Sequence, residues 1–419
     1  MNELEKVIYD ELLNKEYWDL AYERLVNKPF SNVLFDNLFV LKENPIEREH
    51  IAKQLVKGKY SWSVPEKLEL AKSGTTKKRI VYMYSEVDRY ILGVLYRALS
   101  NIFKDKVAEN CYSYKRGVNT AQAIREISKT DYLQQYGLKL DIHSYFNSVK
   151  REHLNNCLTE LFGVTTGIRK TMDALFNCDT VLYKGKEIEE YKALIPGCAL
   201  GSFFANYCLR DVDYHFKEKG ITYARYSDDI IFFADTEEEI ELNLKYLLDK
   251  IKEYGLEVNE KKYTHFSPNE EITYLGLALS SDGIDISNHA KEKIKKTIKR
   301  WIRKGRREIE LDGESFEKVA KKIIQRFNYR LYKCFIEDAR KFGWGYYAFR
   351  YITTADSIIE IDYYLKDRLR YLKTGKNNKA NHKALSDDEL HKLGLVSTYE
   401  MYKLFKYDFE YYCEVVSLI

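Results

Sequence analysis

A pair of adjacent aspartates between two apolar segments constrains the fold of this chain more than any other feature. Asp228 and Asp229 lie in the sequence RYSDDIIFFAD, with Tyr223 and Tyr226 before them and the apolar run IIFF after them. Such runs indicate short buried strands, so the two aspartates are expected on the tight turn of a hairpin. Two like charges beside a core are costly unless something neutralises them, and a divalent metal ion is the usual compensation. Adjacent aspartates alone are common in solvated turns, so the metal hypothesis needs a second carboxylate site.

A second apolar segment ends in an acid and supplies that site. The sequence LKLDIHSYFNSV predicts a strand over residues 137–142 that ends near Asp141 and is followed by the aromatic pair Tyr145 and Phe146. A single aspartate at a strand end is more often a cap or a turn acceptor. The two segments together, however, indicate acids placed at the ends of buried strands, and this reverses the ordinary interpretation of each.

This arrangement resembles the reverse transcriptases, in which a first aspartate precedes two aromatic residues and a later Tyr-x-Asp-Asp completes a metal site. The resemblance implies that Asp141, Asp228 and Asp229 are catalytic and hold metal, with Ile142 as a further ligand position. Hard oxygen ligands suit Mg²⁺. By the same resemblance two Mg²⁺ ions, for which Mn²⁺ could substitute, would lie about 3.5–4 Å apart, activate the primer 3′ hydroxyl and stabilise the leaving pyrophosphate.

Several segments resemble the nucleotide-binding motifs of that family. In TTKKRIVY a basic residue would grip the incoming triphosphate, and an arginine fork suits phosphate. The ring of Phe146 would lie against the 2′ position of the sugar and favour deoxynucleotides. The implied nucleotide-binding residues are Lys77 or Lys78, Arg79, Phe146, Pro196, Gly197 and Tyr226.

The segment IPGCALGSFFAN departs from the family pattern. Aligned on Gly197 and Asn206, Pro196 replaces the usual glutamine and Gly201 replaces the usual serine. Because that glutamine normally touches the nucleotide, the departure changes the expected contacts. It points away from retroviral and group II intron enzymes and towards divergent bacterial reverse transcriptases of phage-defence and abortive-infection systems, with a retron-like catalytic core.

Three further motifs complete the resemblance. Arg116 lies in YKRGVNT, which looks like a nucleic-acid-binding stretch before the catalytic strand, and Lys262 matches a lysine proposed to protonate pyrophosphate. Tyr274, Leu275 and Gly276 match the turn called the primer grip. Taken alone, each of these motifs is an ordinary surface lysine, basic loop or apolar hairpin.

Residues 291–307 carry ten basic residues against one acid, with an apolar stripe between them. A basic amphipathic helix can bind a membrane or a phosphate backbone, or simply be solvated. After a polymerase core, it is interpreted as a helix that tracks the primer–template duplex. The expected contacts are Lys295, Lys299, Arg303 and Arg306.

Composition limits the class of protein. The chain has 419 residues, 45% of them hydrophobic and only five of them proline, which argues against disorder over most of its length. Its seven cysteines include no Cys-x-x-Cys pair, so we expect a reduced cytoplasmic protein without structural zinc or disulfides. The charged N-terminal segment indicates neither a signal peptide nor a membrane span.

The order of predicted elements gives an α+β fold followed by helices, which fits a right-hand polymerase. Helices are expected over 86–104 and as one long helix over 195–215, with Thr236 capping another, and strands near 257–266 and 272–279 are expected to close the sheet. The predicted domains are the fingers over 1–136, the palm over 137–285 with a helical insertion at about 150–195, and a helical thumb and C-terminal extension over 286–419.

The functional hypothesis is an RNA-directed DNA polymerase that makes cDNA on a dedicated, structured noncoding RNA with deoxynucleotides, in antiphage defence. Its nearest alternative is a retron-type reverse transcriptase. An RNA-templated RNA polymerase is more distant, and a catalytically silent palm that binds RNA as a scaffold is a different class. The intact aspartate set argues against the silent scaffold. Template identity, priming and oligomeric state do not follow from the sequence.

Overall fold

The computed structural model of the protein describes residues 1–26, 36–71, 78–115, 117–259, 263–332, 344–376 and 381–418. The chain divides into two compact units, Met1–His265 and Phe266–Ile419. The finer division into fingers, palm and thumb stays a prediction. Sheets precede a helical C-terminal region, which confirms the predicted α+β order.

The helices of the first unit alternate with its strands after an all-helical start. They are α1 (Glu3–Leu12), α2 (Lys15–Val26), α3 (Asp36–Glu43), α4 (Pro45–Val56), α5 (Glu86–Ile102), α6 (Thr120–Ile127), α7 (Tyr145–Ser148), α8 (Arg151–Phe162), α9 (Gly167–Phe176), α10 (Ala199–Tyr207), α11 (Arg210–Glu218) and α12 (Glu237–Glu253). Short 3₁₀ turns cover Lys104–Lys106 and Tyr132–Gln134.

Two antiparallel-rich sheets accompany these helices. The strands are β1 (Glu66–Ala71), β2 (Lys78–Met83), β3 (Tyr136–Asp141), β4 (Thr180–Tyr183), β5 (Lys186–Glu189), β6 (Tyr223–Tyr226), β7 (Asp229–Ala234) and β8 (Thr264–Phe266). One sheet has the order β2-β1-β4-β5 and the other has the order β6-β7-β3-β8. The β4–β5 hairpin has no counterpart in the sequence-based prediction.

The helical start of the chain packs around α5, whose apolar face follows the predicted periodicity. Ser85 caps α5 through a hydrogen bond from the Asp88 amide. Trp18 of α2 is fully buried, its ring meets Tyr90 of α5 edge-on at 5.4 Å, and the Tyr90 hydroxyl donates to the Trp18 carbonyl. The predicted apolar face is buried except at Val87, near the start of the helix, whose side chain remains 40% exposed.

The predicted single helix over 195–215 is wrong: the chain forms α10 and α11 with a break at Cys208 and Leu209. Helix α10 begins late because residues 193–197 follow an irregular path that lies against it. A Cβ added at Gly201 would lie 1.9 Å from the Leu194 carbonyl oxygen, so this contact excludes any side chain. The close approach of helix and loop therefore explains the glycine where the family has serine.

The second unit begins with a small sheet and continues as helices. Its strands are β9 (Ile272–Tyr274), β10 (Leu277–Ser280) and β11 (Gly283–Ile286), in the order β11-β10-β9. The prediction that residues 272–279 close the sheet of the aspartates is therefore wrong, because these strands pair with β11 instead. The helices are α13 (Asn288–Asp312), α14 (Phe316–Tyr332), α15 (Trp344–Tyr351), α16 (Asp356–Thr374), α17 (Asn381–Ala384), α18 (Asp387–Lys392), α19 (Thr398–Tyr407) and α20 (Phe409–Leu418).

The cap predicted at Thr236 is present. Thr236 caps α12 by accepting from the Glu239 amide, while the Glu239 carboxylate reaches the Asp235 amide rather than that of the cap. Within the described ranges, no helix combines the length and the apolar character needed to cross a membrane.

We predict that Gly201→Ala destabilises the protein more than Gly93→Ala does. Both glycines are helical, and both substitutions gain about 1 kcal/mol of helix propensity. At Gly93 the new Cβ would meet only a methyl group, Ala21 Cβ, at 3.2 Å, whereas at Gly201 it would collide with backbone. Overpacking of this kind costs about 1–3 kcal/mol or more. Chemical denaturation of the two variants measures the difference, and equal free energies of unfolding would contradict the collision.

Candidate active site

The register of β3 and β7 places two of the predicted aspartates opposite each other. The strands are antiparallel and pair Asp141 with Asp229 at the last position of the ladder. Leu138 and Leu140 face Phe232 and Ile230 across the same ladder, and all four are buried. Because directly opposite residues lie on the same face of a sheet, both carboxylates project from one face at its turn end. The apolar pairs below fix this register.

Asp228 lies in the two-residue turn that joins β6 to β7. Tyr226 pairs with Asp229, so Ser227 and Asp228 form the whole turn. Ser227 has a φ of 62°, which is the left-handed conformation that the first position of a tight hairpin can require. The predicted hairpin is therefore confirmed, and all three aspartates lie at one end of one sheet.

A third segment pairs with the end of the catalytic strand. Ile142 forms an antiparallel bridge with Val258 and donates its amide to the Asp228 carbonyl at 3.1 Å. The Asn259 amide donates to the Asp141 carbonyl at 3.0 Å. The segment that precedes Lys262 thus runs beside Asp141, while Lys262 itself lies outside the described residues.

An aromatic cluster surrounds the aspartate turn. Phe146 on α7 meets Tyr114 edge-on at 5.9 Å, and Tyr114 lies 6.5 Å from Tyr226. The Tyr114 hydroxyl donates to Ser227 Oγ at 3.2 Å. Burial raises the pKa of both the Tyr114 and the Tyr226 phenols, so these rings stay neutral near the carboxylates. Tyr114 is a site residue that sequence reasoning passed over, because its motif drew attention to the neighbouring basic residues.

The predicted triphosphate-binding residues lie on and before β2. Arg79 is exposed, and its charge is close enough to oppose the rise in the pKa of Tyr114. Lys78 is also exposed but donates to Glu69 of β1 at 2.6 Å. Arg79 therefore fits the expected role better than Lys78. Lys77 and Arg116 lie outside the described residues.

The segment before α10 is strained and connects α7 to β2. Ala193 and Ile195 have φ values of 47° and 51°, and Gly197 has 100°. The Leu194 amide donates to the Phe146 carbonyl at 3.0 Å, and the Pro196 carbonyl accepts from Tyr82 of β2 at 2.8 Å. Left-handed conformations at β-branched residues persist only where the surroundings enforce them. Pro196 is buried and Gly197 is exposed, and the nucleotide contacts expected of both stay a prediction.

The predicted primer grip is the turn between β9 and β10 in the second unit. Tyr274 pairs with Leu277, so Leu275 and Gly276 are the two turn residues, with φ values of 49° and 87°. Positive φ at both positions is typical of a tight hairpin of type I′. Tyr274 is buried, and the Leu275 carbonyl accepts from the Tyr347 hydroxyl at 3.3 Å.

The basic segment forms α13, whose buried stripe is Ile298, Ile302 and Gly305. Of the four predicted duplex contacts, Lys299 and Arg303 are exposed. Lys295 bonds Glu360 of α16 at 2.5 Å and Glu292, while Arg306 bonds Glu310 and the Tyr371 hydroxyl, both at 2.5 Å. The exposed basic face consists of Lys293, Lys296, Lys299, Arg300, Arg303, Lys304 and Arg307.

The structure also brings together a group that the sequence did not predict. In the part of the chain that the structure describes, His153, Cys157 and Cys208 have donor atoms within 4.8 Å of one another. The Cys208 thiol and the Arg210 guanidinium, 3.9 Å from Cys157 Sγ, lower the pKa of Cys157. That group does not include the three aspartates, whose placement rests on strand register.

The donor chemistry of the aspartate end fits a hard divalent cation. Three carboxylates at the end of one sheet offer only oxygen, which suits Mg²⁺ or Mn²⁺ rather than a thiophilic ion. Their like charges repel one another, and a bound cation would relieve that repulsion. Metal binding by Asp141, Asp228 and Asp229 stays a prediction, and their oxygen donors are compatible with it.

Comparison with known proteins identifies the family. Residues 71–279 match the family described as reverse transcriptase (RNA-dependent DNA polymerase), whose members use divalent metal ions. The chain is similar to the retron Ec86 reverse transcriptase of Escherichia coli, with 24% identity over 235 residues that cover 54% of this chain and 67% of that protein. It is also similar to an enzymatic polyprotein of Soybean chlorotic mottle virus, with 39% identity over 71 residues, or 16% of this chain and 10% of that protein.

Among solved structures, two telomerases show weak likeness. The structure of apo telomerase from Candida tropicalis, truncated from its C-terminal domain, has a TM-score of 0.40 at 13% identity. The match covers 54% of this chain and 55% of that one. The structure of telomerase from Candida albicans with a fragment of telomeric RNA has a TM-score of 0.42 at 13% identity. The match covers 86% of this chain and 66% of that one. The match thus covers only part of each of these relatives, from 10% to 67% of their length. With the matched region extending from β1 to β10 and containing the three aspartates, the chain belongs to the reverse transcriptase family.

Proposed function

We propose that the protein is an RNA-directed DNA polymerase that uses two Mg²⁺ ions held by Asp141, Asp228 and Asp229. The observation that carries the proposal is the register that sets Asp141 opposite Asp229 beside a turn bearing Asp228. Bound there, the ions would supply activation of the primer hydroxyl and stabilisation of the pyrophosphate. The chain itself contributes the fixed carboxylates, the aromatic wall and the exposed guanidinium of Arg79.

Each remaining residue has a proposed part in the same reaction. Arg79, with Lys77, binds the triphosphate, and Lys262 donates the proton to pyrophosphate. Tyr226 and the exposed backbone at Gly197 line the nucleotide position. The turn of Tyr274, Leu275 and Gly276 holds the primer end, and Arg116 contacts nucleic acid.

The proposed activity predicts primer extension that depends on the aspartate pair. The wild type should extend a DNA primer annealed to RNA with deoxynucleotides and Mg²⁺. Asp228→Asn with Asp229→Asn should abolish extension, a loss of at least about 10⁴-fold, because it removes two metal ligands without changing side-chain volume. The control is Glu237→Gln with Glu238→Gln, which removes two exposed charges at the start of α12. Full extension by the aspartate variant would refute the assignment.

Phe146 is proposed to exclude ribonucleotides. Its ring is half-buried, lies five residues after Asp141 and is held edge-on by Tyr114, so it forms a rigid wall beside the carboxylates. A 2′ hydroxyl would collide with such a wall.

We therefore expect Phe146→Ala to raise the relative kcat/KM for ribonucleotides by about tenfold or more, equivalent to about 1.4 kcal/mol of lost discrimination. Phe146→Tyr keeps a bulky ring and serves as the control that should remain selective. Single-nucleotide incorporation kinetics measure both. If the wild type already uses both sugars equally, an RNA polymerase becomes the better interpretation.

The exposed face of α13 is proposed to bind the phosphate backbone of the primer–template duplex. Seven basic side chains share this face, opposite the buried stripe. Charges held in internal ion pairs, such as those of Lys295 and Arg306, are less available to phosphate.

Neutralising Lys299 and Arg303 to glutamine should weaken duplex binding and reduce its salt dependence. Each phosphate that the helix no longer binds lowers the slope of log affinity against log salt by about 0.9, as measured for B-form DNA. The matched control is Lys295→Gln with Arg306→Gln, which should change the slope less. Binding titrations over a range of salt concentrations measure both, and an unchanged slope in the Lys299 and Arg303 variant would assign α13 a bracing role.

We further propose a cytoplasmic, bacterial protein of a phage-defence system that copies a dedicated structured RNA; a retron-type enzyme is the alternative. The exposed basic face of α13 and the departure at Pro196 and Gly201 support this proposal. Cys111, Cys157, Cys178, Cys198 and Cys208 form no disulfide, which is compatible with a reducing compartment. Sequencing the RNA that co-purifies with the protein tests the partner: one abundant species supports it, and a heterogeneous mixture of cellular RNA contradicts it.

A further inference from the structure

The turn that carries Asp228 is held from inside the protein by buried polar side chains. The Ser227 amide donates to Ser113 Oγ at 2.9 Å, and its carbonyl accepts from an Arg225 guanidinium nitrogen at 3.1 Å. Ser113 and Arg225 are fully buried. Both backbone polar groups of the strained turn residue are therefore bonded to side chains that solvent does not reach.

Arg225 is anchored in turn by the helix behind the sheet. Its guanidinium donates to both carboxylate oxygens of Asp213 on α11, at 2.8 and 2.5 Å, and to the Asn206 carbonyl at 3.2 Å. Both charged side chains are 0% exposed. Burial opposes the Arg225 charge, but the Asp213 carboxylate raises the pKa of Arg225 well above its ordinary value. Arg225 therefore stays charged in the core and pairs with Asp213, where two packed apolar side chains would often be equally or more stable.

Ser113 is anchored by the end of α10. Its hydroxyl donates to Asn206 Oδ1 at 2.8 Å, and Asn206 Nδ2 donates to the Ser113 carbonyl at 2.6 Å. Asn206 is 2% exposed and lies just before the break between α10 and α11. At this break the side-chain amide of Asn206 bonds Ser113, and the backbone carbonyl of Asn206 accepts from Arg225.

These contacts converge on the backbone amide and carbonyl of Ser227, which directly precedes Asp228 and Asp229. A left-handed, non-glycine turn residue persists only when its surroundings over-determine it. Left to itself, a residue strained in this way would relax the turn. The network supplies the opposing constraint from three separate elements: the segment at Ser113, α10 and α11.

We propose that Ser113, Asn206 and Arg225 are positioning residues that set the turn of Asp228 and Asp229 in the geometry that binds metal. This inference rests on the proposed function, since it concerns the same metal site. Groups that orient metal ligands without touching the ion typically change metal affinity or activity by about 10–100-fold when removed. The network acts here through the backbone of the turn.

The test compares two hydroxyl deletions in the same buried cluster. Ser113→Ala removes the acceptor of the Ser227 amide. Tyr223→Phe removes a hydroxyl that donates to Asp213 at 2.8 Å rather than to the turn, so it controls for the loss of a buried hydrogen bond. Metal occupancy is measured by Fe²⁺-directed backbone cleavage near residues 141 and 228, alongside thermal unfolding and primer extension as a function of Mg²⁺.

We expect Ser113→Ala to need about tenfold more Fe²⁺ for half-maximal cleavage, with Tyr223→Phe staying within about twofold of the wild type. In extension, Ser113→Ala should lower kcat and raise the Mg²⁺ requirement while the KM for deoxynucleotide changes little. Both variants should lose similar thermal stability.

Arg225→Lys provides a second variant that keeps the charge against Asp213 but lacks the fork that reaches both Asp213 and Ser227. It should shift the metal requirement in the same direction as Ser113→Ala. If both variants keep the wild-type metal midpoint while their stability falls as in Tyr223→Phe, the network is merely part of the core and the inference is overturned. A wild type that shows neither cleavage nor extension would instead overturn the proposed function, and this inference with it.

Discussion

The antiparallel pairing of β3 with β7 is the interaction on which the rest of the structure depends. It buries apolar pairs along its length and ends with Asp141 opposite Asp229. Directly opposed like charges are destabilising in a sheet, so the apolar ladder must outweigh their repulsion. If the pairing of β3 with β7 shifted by one residue, every side chain of the shifted strand would move to the other face of the sheet. The apolar pairs therefore fix the positions of Asp141 and Asp229 together with the core.

The surroundings of this sheet end are organised to keep a strained turn in place. Ser227 adopts a positive φ, and a buried ionised pair, Arg225 and Asp213, lies behind it. Such a pair is a weak source of stability but a strong source of geometric restraint, because either charge left alone in the core would be costly. The break between α10 and α11 belongs to the same arrangement, since it turns Asn206 towards both sides of the network.

The departures from the family pattern also have a physical reason. Residues 193–197 take a strained path between Phe146 and β2, and α10 packs directly on the Leu194 carbonyl. Glycine at position 201 is the residue that permits this approach. The buried Pro196 accepts a hydrogen bond from Tyr82 through its carbonyl, so it joins the segment to β2 rather than presenting a side chain to a nucleotide. The sequence change is thus accompanied by a change in what this segment contacts.

The sequence by itself determined the hairpin of Asp228 and Asp229, the strand ending at Asp141 and the helical C-terminal region, because apolar periodicity and turn residues are local signals. It also located α5 and the cap at Thr236. It failed over 195–215 and 272–279, where tertiary contacts decide: Gly201 packs on a loop that precedes it, and β10 pairs with β11 instead of joining the sheet of the aspartates. Only the tertiary structure decided which basic residues of α13 are exposed. It also decided that Tyr114, Ser113 and Arg225 bond Ser227 and that Asn206 bonds Ser113 and Arg225. Ser113, Tyr114 and Asn206 are far from Ser227 in the sequence, and neither spacing nor composition encodes a contact that exists only once the sheet and helices have packed.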